Sequence, residues 1–247
     1  MTRTPRCILI TGGAGGIGRS LAQAFIREGD LVVLADLPGD RLDAVGAELG
    51  VAVVGIDITD AAAVAAAVDD VSAAHGPIDV LVNNAGILHL HGTVTDLAVA
   101  DFDTTVRVNI LGTFAMTQAV ARHMIAAGTR GAIVNVSSIG GRQPTPGMGA
   151  YESSKAAVDA LTRWAAVELA ASGIRVNAVA PGPVDTPMLR EGMPEGSPAR
   201  EAWLSRIPLH QFADPAHVAA AAVFLASPLA AHITGVSLPV DGGQLLV

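Results

Sequence analysis

A glycine-rich segment near the start of the chain limits the folds that this sequence can adopt. Residues 7–11 (Cys-Ile-Leu-Ile-Thr) form an apolar run typical of a buried strand, and residues 12–18 are mostly glycine. Apolar residues then recur at helical spacing as far as Glu28, and Gly29 ends the pattern. A strand, a glycine turn and a helix in this order predict a loop whose backbone approaches a ligand closely, because glycine has no side chain.

The same segment favours a bound dinucleotide. Gly12, Gly16 and Gly18 allow a tight turn, and the free N–H groups at the start of the following helix attract a pyrophosphate. A glycine pattern alone is weak evidence, but a strand before it and a helix after it supply the context that such a loop requires.

A second apolar run, residues 31–36, ends in an acid. The carboxylate of Asp36 can accept both hydroxyl groups of an adenosine ribose and would repel a 2′-phosphate. Neither Gly15 nor Leu37 offers a cation to hold such a phosphate. The sequence therefore favours NAD over NADP, and the alternative is that Asp36 caps a helix.

Strands and helices continue to alternate without a linker, repeat or change of composition. We expect one domain over residues 1–247, built on a parallel sheet with helices on both faces. Further strands are predicted at 51–56, 78–82, 133–138, 174–179 and 235–240, and helices at 60–74, 100–127, 151–171 and 215–226.

Tyr151 and Lys155 lie four residues apart, so they share one face of a predicted helix. The phenol has an ordinary pKa of about 10, and a nearby ammonium should lower this pKa. Ser138, at the end of the strand 133–138, can hydrogen-bond a carbonyl or alkoxide oxygen that also faces the tyrosine. This predicts a proton-transfer site for an alcohol or ketone, whereas the pair on its own could be an ordinary surface pair.

The irregular part of the sequence begins where Pro181-Gly182-Pro183 breaks the sixth strand. Ligands of open α/β sheets bind beyond the carboxyl ends of the strands, where this segment starts. Residues 187–209 contain several apolar side chains, which suits a lid that excludes water from the substrate, and residues 193–198 are predicted to be mobile. The alternative is a plain surface loop.

Composition excludes several other classes of protein. The net charge of −8 and the lack of a Lys/Arg cluster argue against nucleic acid and anionic membranes as partners. Every long apolar run is interrupted before about 18 residues, so no transmembrane helix is expected. Residues 1–6 leave no room for a secretory signal before the first strand, and Cys7, the single cysteine, suits the core of a cytoplasmic protein.

Two other features allow more than one interpretation. His89 and His91 lack Cys or carboxylate partners nearby, so no metal site is predicted. His89 could line the substrate pocket or lie in solvent. Glu152 could face the cleft and bind a second hydroxyl, or it could pair with a cation on the surface.

Taken together, these residues resemble the short-chain dehydrogenase/reductase family, in its NAD-preferring branch, over essentially the whole chain. The resemblance rests on Thr11-Gly12-x-x-x-Gly16-x-Gly18, Asp57, Asn83-Asn84-Ala85-Gly86, Asn109, Ser138, Tyr151-x-x-x-Lys155, Pro181-Gly182 and Asp241-Gly242-Gly243. It implies a Rossmann-like, doubly wound sheet of seven parallel strands in the order 3-2-1-4-5-6-7, usually in a homotetramer.

The resemblance also implies roles for single residues. Tyr151 would be the acid/base, Ser138 would orient the substrate oxygen, and Asn109 would hold a water in a proton relay. Lys155 would lower the pKa of Tyr151 and bind the nicotinamide ribose. The expected NAD contacts are Gly12, Gly16, Ile17, Gly18, Asp36, Asp57, Ile58, Asn84, Ala85, Gly86, Tyr151, Lys155, Pro181, Gly182, Val184 and Thr186.

The expected function is NAD-dependent interconversion of a secondary alcohol and a ketone. A 3-oxoacyl-thioester reductase is an alternative, because residues 207–209 and the C-terminus resemble those members too. Such reductases commonly use NADPH, which Asp36 disfavours. A non-catalytic nucleotide-sensing protein is a third possibility, and the complete set Asn109, Ser138, Tyr151 and Lys155 argues against it.

Overall fold

The computed structural model of the protein describes residues 4–88 and 90–247, so the expectation for His89 lies outside the described residues. Its seven-stranded sheet is parallel and has the predicted order β3-β2-β1-β4-β5-β6-β7. The strands are β1 (Cys7–Thr11), β2 (Leu31–Asp36), β3 (Ala52–Gly55), β4 (Ile78–Asn83), β5 (Ala132–Val136), β6 (Arg175–Pro181) and β7 (Ser237–Val240).

Helices connect the strands and cover the sheet. The α-helices among the described residues are α1 (Gly16–Arg27), α2 (Asp40–Leu49), α3 (Ala61–His75), α4 (Val99–Val106), α5 (Thr113–Ala127), α6 (Gly149–Leu169), α7 (Pro187–Gly192), α8 (Pro198–Leu204) and α9 (Pro215–Ala226). A π-helical turn, Arg107–Gly112, separates α4 from α5.

The central strands are buried on both faces, which is why they read as unbroken apolar runs. In β1, Ile8 and Ile10 join a core cluster with residues of α1, α2 and α9. Cys7 and Leu9 point to the other face and join a cluster with residues of α3, α5 and α6. The sheet therefore has a separate apolar core on each side.

The strand order reverses at β1, which pairs with β2 on one side and β4 on the other. In open α/β sheets this reversal leaves a crevice beyond the carboxyl ends of the strands, and ligands bind there. Thr11 at the end of β1 and Asn83 at the end of β4 therefore lie at the edge where the predicted site residues collect.

Several other bounds differ by one or two residues, and α2 has no counterpart among the predicted helices; two further differences lie near the site. The helix predicted at 100–127 is divided by the π turn, whose buried residues are Asn109 and Gly112. The strand predicted at 133–138 ends at Val136, and Ser138 instead accepts a hydrogen bond from the backbone N–H of Gly140, capping a short 3-10 turn at Ile139–Gly141.

The segment 193–198, predicted to be mobile, is bordered by two short helices. Thr186 caps α7 and Ser197 caps α8, each with a proline at the start of the helix. A hydroxyl cap followed by proline is a favourable helix start, so these short helices form despite their length.

The described part of the chain offers no helix with both the length and the apolar character needed to cross a bilayer. Cys7 is buried, as expected. Burial, with a smaller contribution from Asp79, raises the pKa of its thiol to about 11. A thiol with so high a pKa stays protonated and is a poor nucleophile, which fits a residue of the core.

Candidate active site

The glycine loop packs too closely for any larger residue at two positions. Gly12 has a φ of +63°, and a Cβ there would lie 2.8 Å from the Cα of Ala85. A Cβ at Gly18 would lie 2.2 Å from the carbonyl oxygen of Gly12. None of the described side chains caps α1, so the N–H groups of its first turn remain available to an anion. This geometry fits a pyrophosphate.

Asn84 joins the glycine loop to the turn after β4. Its Nδ2 donates to the carbonyl oxygens of Thr11 and Gly12, at 3.1 and 2.9 Å. The backbone N–H groups of Asn84 and Ala85 both donate to the hydroxyl of Thr11 at 3.1 Å. These bonds hold the two predicted cofactor-binding segments together.

Asp36 lies beside the glycine loop, and both its carboxylate oxygens accept a backbone N–H. Ala14 donates at 3.0 Å and Leu37 at 2.8 Å. The helix-capping alternative is wrong, because α2 begins after Gly39 without a side-chain cap. Each oxygen keeps a second lone pair, so the carboxylate can still accept a ribose hydroxyl.

The two residues expected near the adenine lie after β3. Asp57 accepts hydrogen bonds from the backbone N–H and the hydroxyl of Thr59, at 2.9 and 2.8 Å. Ile58 is buried and packs against the π turn, where a Cβ on Gly112 would approach its Cδ1 to 2.6 Å. Their contact with an adenine stays a prediction.

Tyr151, Ser138 and Lys155 converge at the start of α6. The Ser138 hydroxyl lies close enough to the Tyr151 phenol to favour its ionised form. The Lys155 ammonium lies 5.6 Å from the centre of the Tyr151 ring and donates to the carbonyl oxygen of Val136 at 2.7 Å. Gly86 lies beside this ammonium, since a Cβ there would be 3.5 Å from Nζ.

Burial shifts both titratable groups. It raises the pKa of Tyr151 above its ordinary value, the Ser138 hydroxyl opposes this rise, and the Glu152 carboxylate adds to it. The sequence predicts that Lys155 lowers this pKa, but burial outweighs any such effect in the structure. Burial also lowers the pKa of Lys155 to about 8, although the Asp159 carboxylate acts in the opposite direction.

Asn109 is fully buried in the π turn, and protein groups bind its carboxamide. Its Nδ2 donates to the carbonyl oxygen of Ile87 and to the hydroxyl of Ser154, both at 2.9 Å. Its Oδ1 accepts from the backbone N–H of Ile87 at 2.8 Å. The role of Asn109 in holding a water stays a prediction.

Glu152 is buried, so the surface pair that the sequence offered as one alternative is wrong. It is 8% exposed, and its Oε2 accepts the backbone N–H of Thr145 at 2.9 Å. The carboxylate therefore holds the loop between β5 and α6 in place, and its contact with a second substrate hydroxyl stays a prediction.

Proline and glycine at the end of β6 connect the site to the C-terminal segment. The hydroxyl of Ser138 lies 3.5 Å from the carbonyl oxygen of Pro181, and the N–H of Gly182 donates to Val240 at 3.1 Å. Val184 forms a parallel bridge with Ala213, beyond the end of β6.

The segment from 185 to 200 is held by one acid. Asp185 accepts two hydrogen bonds from Arg190 of α7, at 3.1 and 3.0 Å, and one from Arg200 of α8 at 3.4 Å. Arg190, its main partner, holds the pKa of Asp185 below its usual range. The neighbouring Thr186 lies against the glycine loop, where a Cβ on Gly16 would be 3.2 Å from its Cγ2.

Within residues 4–88 and 90–247, no group of three or more His, Cys, Asp and Glu side chains is placed to hold a metal ion. At this edge of the sheet a phenol, a hydroxyl and an ammonium lie beside the glycine loop.

Known proteins resemble this chain over nearly its whole length. Residues 12–244 match the family described as enoyl-(acyl carrier protein) reductase. A 3-oxoacyl-(acyl-carrier-protein) reductase of Thermotoga maritima is 41% identical over 243 residues, covering 96% of this chain and 97% of the relative. A galactitol 2-dehydrogenase (L-tagatose-forming) of Cereibacter sphaeroides is 40% identical over 242 residues, covering 96% and 94%.

A solved short-chain type dehydrogenase/reductase from Mycobacterium ulcerans superposes with a TM-score of 0.95 at 33% identity, covering 100% of this chain and 92% of that one. The chain belongs to the short-chain dehydrogenase/reductase family. Two other solved members carry different cofactors. ElxO with NADP bound has a TM-score of 0.93 at 34% identity, covering 99% and 100%. NAD+-bound xylitol dehydrogenase has a TM-score of 0.90 at 33% identity, covering 96% and 98%.

The sequence does not reveal one residue of this short-chain dehydrogenase/reductase site. Ser154 lies between Tyr151 and Lys155, is fully buried and bonds Asn109. Its partner is 45 residues away in the chain, so no local pattern connects them. The sequence gives one signal. Ser154 lies four residues before Val158, a core position, and therefore shares its face of the helix.

Proposed function

We propose that this short-chain dehydrogenase/reductase is an NAD(H)-dependent oxidoreductase that interconverts a secondary alcohol and a ketone. The convergence of Tyr151, Ser138 and Lys155 beside the glycine loop carries the proposal. A phenol beside a hydroxyl can exchange a proton with a substrate oxygen held by both groups.

The residues divide the work of the reaction as follows. When bound, the nicotinamide accepts or donates the hydride. Tyr151 takes the proton from the alcohol during oxidation and returns it during reduction, so charge never builds up fully on the substrate oxygen. Ser138 orients that oxygen. Lys155, with a pKa of about 8, is mostly charged near neutral pH and stabilises the phenolate as it forms.

The preference for NAD rests on Asp36. Its carboxylate is held at the edge of the glycine loop by Ala14, where a 2′-phosphate would meet a negative charge. The side chain of Leu37, which is 62% exposed, brings no cation to this place. These features support NAD as the cofactor.

A second function has one observation in its favour. The Thermotoga maritima relative, at 41% identity, is a 3-oxoacyl-(acyl-carrier-protein) reductase, and residues 207–209 resemble such members. The substrate would then be a 3-oxoacyl thioester, and NADPH would be the expected reductant. We place this function second because Asp36 opposes a 2′-phosphate.

Three further features belong to the same proposal. Residues 187–209 form a lid over the substrate, with Asp185 as the anchor of its two helices. The working form is a homotetramer, and the protein acts in the cytoplasm on a small molecule.

An activity screen tests the proposal. The purified protein is assayed with NAD and NADP against polyols, hydroxysteroids, cyclic alcohols and hydroxyacyl thioesters. We expect NAD-dependent oxidation of at least one alcohol, and NADPH-dependent reduction confined to thioesters would establish the second function instead.

Tyr151→Phe provides the matched control, because it removes the proton-transfer group and keeps the ring. Turnover should fall by at least about 100-fold, the contribution typical of a general acid or base, whereas NAD affinity should stay close to that of the wild type. Near-normal turnover by this variant would contradict the mechanism.

A further inference from the structure

The π turn forces Asn109 to find its hydrogen-bond partners inside the protein. A π turn accommodates one residue more than an α-helical turn and changes the direction of the side chains in it. Asn109 is 0% exposed. A buried carboxamide with unpaired groups destabilises a fold, so each of its partners matters.

Ile87 accounts for one side of this carboxamide. Nδ2 donates to the Ile87 carbonyl oxygen at 2.9 Å, and Oδ1 accepts the Ile87 N–H at 2.8 Å. These two bonds fix the backbone just after Gly86, beside the Lys155 ammonium. The second N–H of Nδ2 donates to the Ser154 hydroxyl at 2.9 Å.

Ser154 connects these hydrogen bonds to the helix that carries the reacting phenol. Its Oγ donates in turn to the carbonyl oxygen of Tyr151 at 2.6 Å, and its side chain is 0% exposed. One hydroxyl therefore joins three segments: the backbone at Ile87, the π turn at Asn109 and the first turns of α6.

We propose that Ser154 is a positioning residue for proton transfer. This inference rests on the proposed function, because the positioned groups are Tyr151 and Lys155. Without the Ser154 hydroxyl, the buried Nδ2 of Asn109 loses an acceptor, so the amide must rotate or recruit water. The turn of α6 that carries the phenol then loses its link to the π turn, and proton transfer is sensitive to displacements of about 1 Å.

A second hydroxyl on the same helix makes the same contacts away from the site. Thr162 accepts from Nδ2 of Asn135 and donates to the carbonyl oxygen of Val158, both at 2.8 Å. It is also 0% exposed. Thr162→Val removes this hydroxyl at nearly constant volume, and Ser154→Ala removes the hydroxyl near the site. Comparing the two variants separates an effect on positioning from the general effect of losing a buried hydrogen bond.

Kinetics provide the first measurement. Ser154→Ala should lower kcat by about 10-fold or more, because a misplaced reacting group can cost up to roughly 100-fold. The cofactor Kd should change by less than about three-fold, since the lost bond acts on the reacting groups. Thr162→Val should lower the melting temperature as Ser154→Ala does, and its kcat should remain near that of the wild type.

A spectroscopic measurement needs no turnover. Tyr151 is the single tyrosine of the chain, so protein labelled with 13C at tyrosine Cζ gives one tyrosine signal. Ser154→Ala should shift or broaden this signal, and Thr162→Val should leave it unchanged. Ser154→Cys, which keeps a weak donor of similar size, should fall between the wild type and Ser154→Ala, and it replaces the alanine variant if that variant does not fold.

The outcomes separate the two proposals. An unchanged tyrosine signal and a kcat within about two-fold of the wild type for Ser154→Ala would overturn the positioning role. Equal losses of kcat in Ser154→Ala and Thr162→Val would also overturn it. If the wild type oxidises and reduces nothing, the proposed function fails, and the tyrosine signal alone still decides whether Ser154 positions the phenol.

Discussion

Asp36 binds the glycine loop and is also expected to repel a 2′-phosphate. A substitution at Leu37 tests the second effect without changing the first. The carboxylate binds the N–H of Ala14, so Asp36→Ala should loosen the glycine loop and weaken NAD binding as well as remove a charge. Two like charges about 4 Å apart repel by a few kcal/mol at an effective dielectric near 20, which predicts at least roughly a 100-fold preference for NAD. Leu37→Arg adds a cation at an exposed position and leaves Asp36 in place.

We therefore expect Leu37→Arg to raise kcat/KM for NADP by about 10-fold while the value for NAD changes little. Asp36→Ala should lower the melting temperature and reduce the preference for NAD. Steady-state kinetics with both cofactors, with the melting temperature of each variant, check these outcomes. Efficient use of NADP by the wild type would show that the interpretation of Asp36 is wrong.

The buried ammonium of Lys155 predicts a pH dependence of stability. Its pKa falls from 10.5 to about 8 on folding, so between these values the unfolded chain binds the proton and the folded chain does not. Stability must then rise with pH across this interval, and the cost of burying the charge is fully present below about pH 8. Relative to Lys155→Met, the wild type should gain roughly 2 kcal/mol between about pH 7 and pH 9.5.

Denaturant unfolding of both proteins over this pH range gives the difference. The comparison with Lys155→Met is needed because Cys7 acts in the opposite direction: its pKa rises from 9.0 to about 11, so the folded state binds more protons and loses stability as pH rises above 9. This contribution is common to both proteins and cancels. A difference that does not depend on pH would contradict the lowered pKa of Lys155.

Single residues of the site are predictable where the motif is local. Tyr151 and Lys155 meet because a helix brings positions four apart together. Glu152 and Ser154 lie in the same helical stretch, but their partners, Thr145 in a loop and Asn109 in the π turn, are set by tertiary packing. Sequence spacing carries no information about such contacts, and the prediction of a surface pair for Glu152 was wrong for this reason.

Secondary-structure elements follow the sequence closely where burial dictates the pattern. β1, β2 and α9 have the predicted bounds. The two strands are buried on both faces, so they need unbroken apolar runs that are easy to recognise. The π turn escapes prediction because its buried residues, Asn109 and Gly112, belong to no apolar pattern that could mark the change of turn. The helices α7 and α8 were missed because a short helix is defined by its caps, Thr186 and Ser197, more than by its periodicity.

The carboxylate of Asp185 links the two short helices. Asp185→Asn removes the charge that binds Arg190 of α7 and Arg200 of α8, so residues 187–209 should open more often. A loss of about 1 kcal/mol corresponds to roughly five-fold faster cleavage by trypsin at these arginines. Limited proteolysis followed by mass spectrometry measures this rate.

Asp103→Asn is the matched control for that experiment, because Asp103 forms an exposed ion pair with Arg107, away from the lid. It should leave cleavage at Arg190 and Arg200 unchanged. The KM for the alcohol should rise in Asp185→Asn if the segment covers the substrate. Equal cleavage rates in both variants would count against Asp185 as the anchor of the lid.

At the scale of the whole molecule, each face of the sheet has its helical layer, but one layer keeps an apolar outer surface. On α6, Val158 points into the core, whereas Trp164 is 48% and Val167 79% exposed. Trp164 stacks on Phe114 of α5 with ring centres 5.8 Å apart. A cavity of about 230 Å³ runs between these two helices. Apolar surface of this kind favours association with another protein surface.

We expect this α5–α6 face to join two copies of the chain across a two-fold axis, as part of the proposed homotetramer. A two-fold axis brings the same patch of both copies together, so a single substitution appears twice in the interface. An introduced charge would be buried in both copies, and the two like charges would repel each other. Val167→Glu should therefore release smaller species in light scattering. Val94→Glu, at an equally apolar and fully exposed position outside this face, should not. A wild-type mass of 24.9 kDa at working concentration would refute the oligomer, and a Val167→Glu variant of wild-type mass would move the contact to another face.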